Sequence, residues 1–313
     1  MRAFLFPGQG SQSVGMGRVL AECFAPARDV FEEVDEALKQ KLSKLMWEGP
    51  DSELILTENA QPAIMAASMA VIRVLMREAG LDLERHARLA AGHSLGEYSA
   101  LCAAGSFTLV DTARLLRTRG LAMQEAVPPG VGAMSALIGI EVGDAEAAAT
   151  ESSAQGGICV VANDNAPGQV VISGSKDAVE RAGRFAKEHG ARRVMPLAVS
   201  APFHSPLMEP AADKMRDALA AVTVRPPAIP IVSNVTAKET NEPELIRQLL
   251  IEQVTSRVRW RESVLSFRSI GVETTVEAGG GKVLTNMVKR IDPELLLVPL
   301  DTPADIEAFA KTL

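Results

Sequence analysis

Cysteine is scarce. Cys23, Cys102 and Cys159 stand apart among 313 residues, with no C-x-x-C pair and an odd total, which excludes a disulfide framework and supplies no zinc spacing. Such usage suits a reducing compartment. Positive charge is also short: 32 Lys and Arg against 39 Asp and Glu leave a net charge of −7, too acidic for a general polyanion binder, since neutralising phosphates needs a basic face. No apolar run approaches the roughly 18 residues needed to span a bilayer. The start, "MRAFLFPGQG", breaks into a Pro-Gly turn too early for a signal-peptide core. A cytoplasmic protein is expected, with no membrane segment and no nucleic-acid partner. Internal repeats and low-complexity tracts are absent.

What remains, 47% apolar and 23% charged, is ordinary globular composition, and the length allows one large domain carrying a smaller insert. "RAFLF" at 2–6 reads as a short buried strand ending in the loop "PGQGSQSVGMG". "QPAIMAASMAVIRVLMREAG", with Pro62 near its start and Gly80 as its stop, reads as a buried helix. "ARLAAG" is the next strand, and "TLVDTARLLRTRGLAMQEAV" opens with Thr108 and Asp111 spaced as a capping box. This alternation predicts an α/β core with a mainly parallel sheet. Over 130–199 the order becomes strand, helix, strand, strand, helix, strand, with "DNAPG" as the central turn. That is the order of a ferredoxin-like α+β unit, so 130–199 is expected to be an inserted small subdomain, and 1–129 with 200–313 a discontinuous core. Beyond it, helices are expected in "SPLMEPAADKMRDALAAV", over 242–269 and in "GGKVLTNMVKRI", and strands in "PIVSN", "TTVEAG" and "LLLVPL".

The chemistry starts at "LAAGHSLGEYSAL", residues 89–101. Ser94 sits between Gly92 and Gly96 where a strand gives way to a helix, and so sharp a turn throws its hydroxyl outward above the sheet. A protonated alcohol is a poor nucleophile and needs a base. Only four histidines are available. His86 lies in the charged stretch "LERHARL", His189 closes an amphipathic helix where it suits the dipole, and His93 points away from the serine and shapes the turn. His204, in "PLAVSAPFHSPLM", is held between two prolines where the chain re-enters the core, and is the candidate base. An oxyanion needs aimed N–H groups; Leu95, just after the nucleophile, and Gln9, in the strand-ending loop "FPGQGSQ", are placed to supply them. As phosphate cradles the glycine loops are poor: "GQGSQS" lacks the third glycine of a dinucleotide fingerprint, and "GGGKV" lacks a Ser or Thr after its Lys. In "RLLRTRG" a guanidinium able to grip a carboxylate is present, but Arg117 and Arg119 are two apart and cannot share a face. Periodicity does not choose between them.

Five segments, "FPGQGSQ" at 6–12, "GHSLGEYSAL" at 92–101, "RGLAMQEAV" at 119–127, "SAPFHSPLM" at 200–208 and "GKVLTNMVKRI" at 281–291, together resemble the malonyl-CoA:acyl carrier protein transacylases of type II fatty-acid synthesis, in that family's order and along essentially the whole chain. The resemblance implies that Ser94 is acylated, His204 is its base, Gln9 and Leu95 are the oxyanion donors, and Arg119 holds the malonyl carboxylate. Gln253, seven residues before Trp260, matches the glutamine whose neighbourhood orients the histidine. Asn163, expected in a loop after the insert's second strand, matches a substrate-lining asparagine. The implied fold is a hydrolase-like α/β core plus a ferredoxin-like insert. The implied reaction is ping-pong malonyl transfer from malonyl-CoA to the phosphopantetheine thiol of acyl carrier protein, without metal or other cofactor, by a monomer. Phe203, beside His204, is expected to limit branching at the acyl α carbon. Arg181, Arg184, Lys187, Arg192, Arg193, Lys289 and Arg290 are candidate landing residues for an acidic carrier. Gly280 and Arg257 stand where the family often has proline, and are expected to loosen loops at the rim of the site.

The rival α/β-hydrolase esterase follows the chain order Ser, acid, His, with the histidine usually near the C-terminus. Here no histidine follows His204, and no "HGGG" loop occurs. A non-catalytic carrier-binding module has no use for Ser94, His204 and Arg119 together. A discrete acyltransferase of a polyketide pathway uses the same residues.

Overall fold

The computed structural model describes residues 1–199 and 201–313; residue 200, where the core is expected to resume, lies outside the described residues. Among the described residues ten strands, numbered along the chain, form two sheets. The larger contains β1 (Arg2–Phe6), β2 (Leu89–Gly92), β7 (Ile231–Val232), β8 (Glu239–Thr240), β9 (Thr274–Ala278) and β10 (Leu296–Leu300) in the order β10-β9-β1-β2-β7-β8. Every neighbouring pair is parallel except β7 and β8. Side chains alternate across the sheet: Phe4, Phe6 and Ala90 enter one apolar cluster with the helix Thr57–Glu78, while Ala3, Leu5, Leu89 and Ala91 enter another with Val258, Trp260 and Phe267. Both faces are therefore covered, as the short apolar strands require.

β1 and β2 are paired with Phe6 opposite Gly92, so the loop after β1 and the turn after β2 emerge side by side at the carboxyl edge, where open α/β sheets place their sites. The helix Thr57–Glu78 begins four residues before the expected start and holds Pro62 in its interior. It is long and apolar enough to cross a membrane, against the expectation that no such segment exists, but 89% of its apolar window is buried inside the protein.

The smaller sheet joins β3 (Gly132–Ile138), β4 (Cys159–Ala166), β5 (Gln169–Ser175) and β6 (Arg193–Pro196) in the order β4-β5-β3-β6, all antiparallel. Leu137, Val161, Val170 and Ile172 pack under the helices Val142–Ala154 and Lys176–Glu188. Met134, Ala162 and Val171, on the other face, join the main core. One sheet thus serves two cores.

Several expectations change. Residues 242–269 form two helices, Pro243–Gln253 and Trp260–Phe267; the break is taken up by Val258, whose N–H donates to the Ala162 carbonyl at 2.8 Å and whose carbonyl accepts from the Asp164 N–H at 3.0 Å. Asn163 consequently lies within β4, at a bulge, and not in a loop. β4 runs on through Ala166, leaving Pro167 and Gly168 as the turn. Six helices, Arg18–Cys23, Ala25–Leu38, Leu42–Glu48, Asp51–Leu54, Leu83–His86 and Pro303–Ala310, went unread in the sequence. Arg257, expected to loosen the rim, instead pairs with Glu146 and donates to the Val161 carbonyl. Arg261 bridges Asp164 at 3.0 Å and Glu141 at 2.9 Å, so both arginines fasten the small sheet to the core.

Candidate active site

Glycine makes the turn after β2 possible. A methyl group on Gly92 would lie 1.9 Å from the Gly96 carbonyl, and one on Gly96 would lie 2.1 Å from the Phe6 oxygen; only hydrogen fits at either flank. Ser94 itself takes φ 52°, and His204 takes φ 57°. A left-handed conformation costs a non-glycine residue about 1–2 kcal/mol, and such residues concentrate where a side chain must be aimed.

The aim is visible in the distances. Ser94 Oγ lies 2.8 Å from His204 Nε2, and His204 Nδ1 lies 2.9 Å from the Gln253 backbone oxygen. A carbonyl can only accept, so Nδ1 carries the ring proton and Nε2 is left bare to take one from Ser94. The group that orients the histidine is therefore a main-chain carbonyl at the end of the helix Pro243–Gln253 rather than an acid. His204 is 4% exposed. Burial first, then the neighbouring Arg119 cation, lowers its pKa from 6.5 to about 3, so the imidazole is neutral and ready as a base at neutral pH.

Arg119 is the inward member of the arginine pair. It is 1% exposed, and donates from Nη2 to Ser94 Oγ at 3.1 Å and to Gln253 Oε1 at 2.9 Å, and from Nη1 to Gln61 Oε1 at 2.9 Å. Its guanidinium also faces the Tyr98 ring, 5.7 Å from the centroid. Arg117, half-buried, bonds Gln40 instead. The neighbouring Gly120 lets this helix approach closely: a Cβ there would stand 2.6 Å from the Glu58 Cα, and the approach brings Gln61 alongside Arg119.

Leu95 caps the helix Gly96–Ala103. Among the described residues, neither its N–H nor that of Gln9 has an acceptor. Both residues line a cavity of about 270 Å³ with Ser94, Arg119, His204, Asn163 and Phe203. A wider groove of about 730 Å³, between the helices Glu209–Ala220 and Pro243–Gln253, has no serine, cysteine or histidine on its walls.

Four participants were not singled out from sequence. Gln61 holds Arg119. Asn234 accepts the Ser94 N–H at 2.7 Å and donates to the Gly92 carbonyl at 2.7 Å. Glu97, 2% exposed, accepts from the Asn234 N–H at 3.0 Å and the Gln253 amide at 2.8 Å. Asn165 in β4 lies 2.8 Å from His93 Nε2, so His93 links the serine turn to the small sheet. The signals were faint; a carboxylate in the small-residue run "GEYSAL" was the clearest. Of the basic candidates, Arg181 bonds the Ser152 and Gly156 carbonyls, and Arg290 bonds Gln169 and the Pro167 carbonyl. Arg184, Lys187, Arg192, Arg193 and Lys289 are exposed.

Residues 3–292 match the model of the acyl transferase domain family. The malonyl CoA-acyl carrier protein transacylase of Bacillus subtilis (strain 168) is 45% identical over 311 residues, spanning 99% of this chain and 96% of that protein. The crystal structure of an acyl-carrier-protein-S-malonyltransferase from Bartonella henselae superposes with a TM-score of 0.97 at 53% identity, covering 99% of this chain and 98% of the other. A malonyl-transacylase solved in complex with its type II PKS acyl-carrier protein superposes with a TM-score of 0.95 at 42% identity, covering 100% and 99%.

Proposed function

Since this chain belongs to the acyl transferase domain family, as one of its malonyl-CoA:acyl carrier protein transacylases, we propose that it moves the malonyl group from malonyl-CoA to the phosphopantetheine thiol of acyl carrier protein through an ester on Ser94. The reading is carried by one convergence: Ser94 Oγ, His204 Nε2 and the Arg119 guanidinium meet within 3.1 Å at the wall of one cavity.

His204 takes the Ser94 proton as Oγ attacks the thioester carbonyl, and the Leu95 and Gln9 N–H groups receive the developing oxyanion. Collapse breaks the C–S bond, and the proton leaves with the CoA thiol. Arg119 grips the free malonyl carboxylate with a planar fork suited to two parallel hydrogen bonds. The carrier thiol then gives its proton to His204 and attacks the ester, returning Ser94. Asn163 and Phe203 line the acyl pocket, with Phe203 limiting branching at the α carbon. The Gln253 carbonyl keeps the imidazole in its working tautomer. CoA thioester and phosphopantetheine are substrates, and the chemistry calls for no metal or other cofactor.

The parallel core is read as hydrolase-like, over 1–129 and 200–313, and the four-stranded antiparallel unit over 130–199 as a ferredoxin-like insert. Exposed Arg184, Lys187, Arg192, Arg193 and Lys289 form the landing area for an acidic carrier protein. The working form is a cytoplasmic monomer. The neighbour solved with a type II PKS carrier protein favours a second acceptor class, polyketide carrier proteins. Intact-mass analysis after mixing with malonyl-CoA tests the reaction: a malonyl adduct is expected on the wild type, lost on adding carrier protein and absent in Ser94→Ala. An adduct that persists in Ser94→Ala refutes the assignment.

A further inference from the structure

Arg119 is a buried cation whose hydrogen-bond partners, Gln61, Gln253 and Ser94, are all neutral. The buried anion linked to it lies one residue further on. Gln253 accepts from Arg119 at Oε1 and, through Nε2, donates to Glu97 Oε2 at 2.8 Å and to the Ser94 carbonyl at 3.1 Å. Glu97 and Gln253 are 2% and 0% exposed, so water does not substitute for any of these bonds. An ionised carboxylate only accepts. Together with the Ser94 carbonyl, which also only accepts, and the guanidinium, which only donates, it turns the Gln253 NH2 toward Glu97 and the amide oxygen toward Arg119. The reversed amide sets oxygen against carboxylate and NH2 against cation, losing two charge-assisted hydrogen bonds.

We propose that Glu97 is a positioning residue for substrate selection: through the Gln253 amide, its carboxylate aims the Arg119 guanidinium at the acyl carboxylate. The inference rests on the malonyl-transfer reading and deepens it. Burial raises the Glu97 pKa from 4.5 to about 7, against the lowering effects of Asn234, Gln253 and Arg119. The other titratable groups around it keep one state near neutrality. Tyr98 is pushed up to about 12 by burial, His204 down to about 3 by burial and Arg119, and His93 is lowered by burial. Above about pH 7 Glu97 is ionised and its charge-assisted bond pins the amide; below it the carboxyl is neutral and that bond weakens, leaving only the Arg119 cation and the Ser94 carbonyl to hold the amide.

Two reactions separate this role from general support of the fold. One is malonyl transfer, read as kcat/KM for malonyl-CoA. The other is sulfonylation of Ser94 by phenylmethanesulfonyl fluoride, a neutral reagent that needs Ser94 and His204 but no carboxylate grip. In the wild type, malonyl transfer is expected to fall as pH drops through the Glu97 pKa and to level off near the rate of Glu97→Gln, while sulfonylation lacks that limb. Glu97→Gln, whose amide can face either way, is expected to lose about fivefold or more in kcat/KM at high pH and to lose the acid limb, with sulfonylation within about twofold of wild type. Unchanged or higher kcat/KM, a retained limb, or equal losses in the two reactions overturns the proposal and leaves the transfer reading intact. The wild-type profiles decide the matter even if the variant does not fold, since a limb shared by both reactions, or absent from malonyl transfer, overturns it. Wild-type protein that is sulfonylated but accepts no malonyl group overturns the transfer reading, and this inference with it.

Discussion

Gly120→Ala tests whether the placement of Arg119 depends on helix packing alone. The substitution touches no polar group of the site. Its Cβ would meet the Glu58 Cα at 2.6 Å and the Thr57 carbonyl at 2.7 Å, both backbone atoms that cannot rotate away. Restoring an ordinary 3.4 Å contact requires the helix Leu109–Glu125 to withdraw by about 0.8 Å from the start of Thr57–Glu78. Overpacking of this kind costs about 1–3 kcal/mol, and the better helix propensity of alanine returns about 1 kcal/mol. The net loss is about 0–2 kcal/mol, a fall of up to several degrees in Tm for a chain of this size. Activity should suffer more than stability. Arg119 moves with its helix, and a misplacement near 1 Å costs about a hundredfold in a reaction that depends on orientation. Steady-state kinetics with malonyl-CoA and carrier protein, beside a thermal melt and the sulfonylation rate of Ser94, form the assay. A large loss in kcat/KM with a modest loss in Tm and near-normal sulfonylation is expected. Full activity with raised Tm would refute the claim that this contact sets the position of the guanidinium.

Arg119→Ala removes the proposed partner of the malonyl carboxylate. Breaking a buried pair costs about 3–5 kcal/mol, so kcat/KM for malonyl-CoA should fall by about two to three and a half orders of magnitude, while that for acetyl-CoA falls far less; equal losses contradict the assignment. Stability should vary with pH in a way that Glu97→Gln changes. The His204 pKa, lowered in the folded state, makes stability fall as pH drops from 6.5 toward about 3. The Glu97 pKa, raised in the folded state, makes a contribution that is full below 4.5 and lost as pH rises through about 7. Between 4.5 and 6.5 the two oppose one another, so urea-derived unfolding free energies of Glu97→Gln should decline with falling pH more steeply than those of the wild type, by up to about 1.4 kcal/mol per unit. Identical slopes contradict the buried, protonatable carboxyl.

Much of the site could be read from local sequence because its chemistry is local. The serine turn needs glycine at 92 and 96 for reasons confined to a few atoms, and β1 and the loop after it announce themselves by an apolar run ending in Pro-Gly. The small sheet's six elements could be read because its strands and helices alternate over short spans with glycine between them. Periodicity failed where burial is complete. The helix Thr57–Glu78 has no polar stripe to mark its start, and the helices Arg18–Cys23, Leu42–Glu48 and Asp51–Leu54 are too short to show a period. Ala25–Leu38, by contrast, carries a legible apolar stripe at Ala27, Val30, Phe31 and Val34 and was simply overlooked. The family likeness chose Arg119 over Arg117; the tertiary reason is Gly120, which draws that face against Thr57 and Glu58.

What the sequence by itself determined is the set of reactive groups and their local geometry: a hydroxyl on a glycine-flanked turn, one histidine free for it, and a strand loop able to offer N–H groups. Only the tertiary structure decided which distant groups hold those in place. Asn234, Glu97 and Gln61 come from three separate segments, and a buried polar group finds its partner by three-dimensional packing, with no spacing along the chain to record it. The family likeness pointed to Gln253 beside the histidine, but that the contact is made by its main-chain carbonyl, a group every residue carries, no side-chain pattern can reveal.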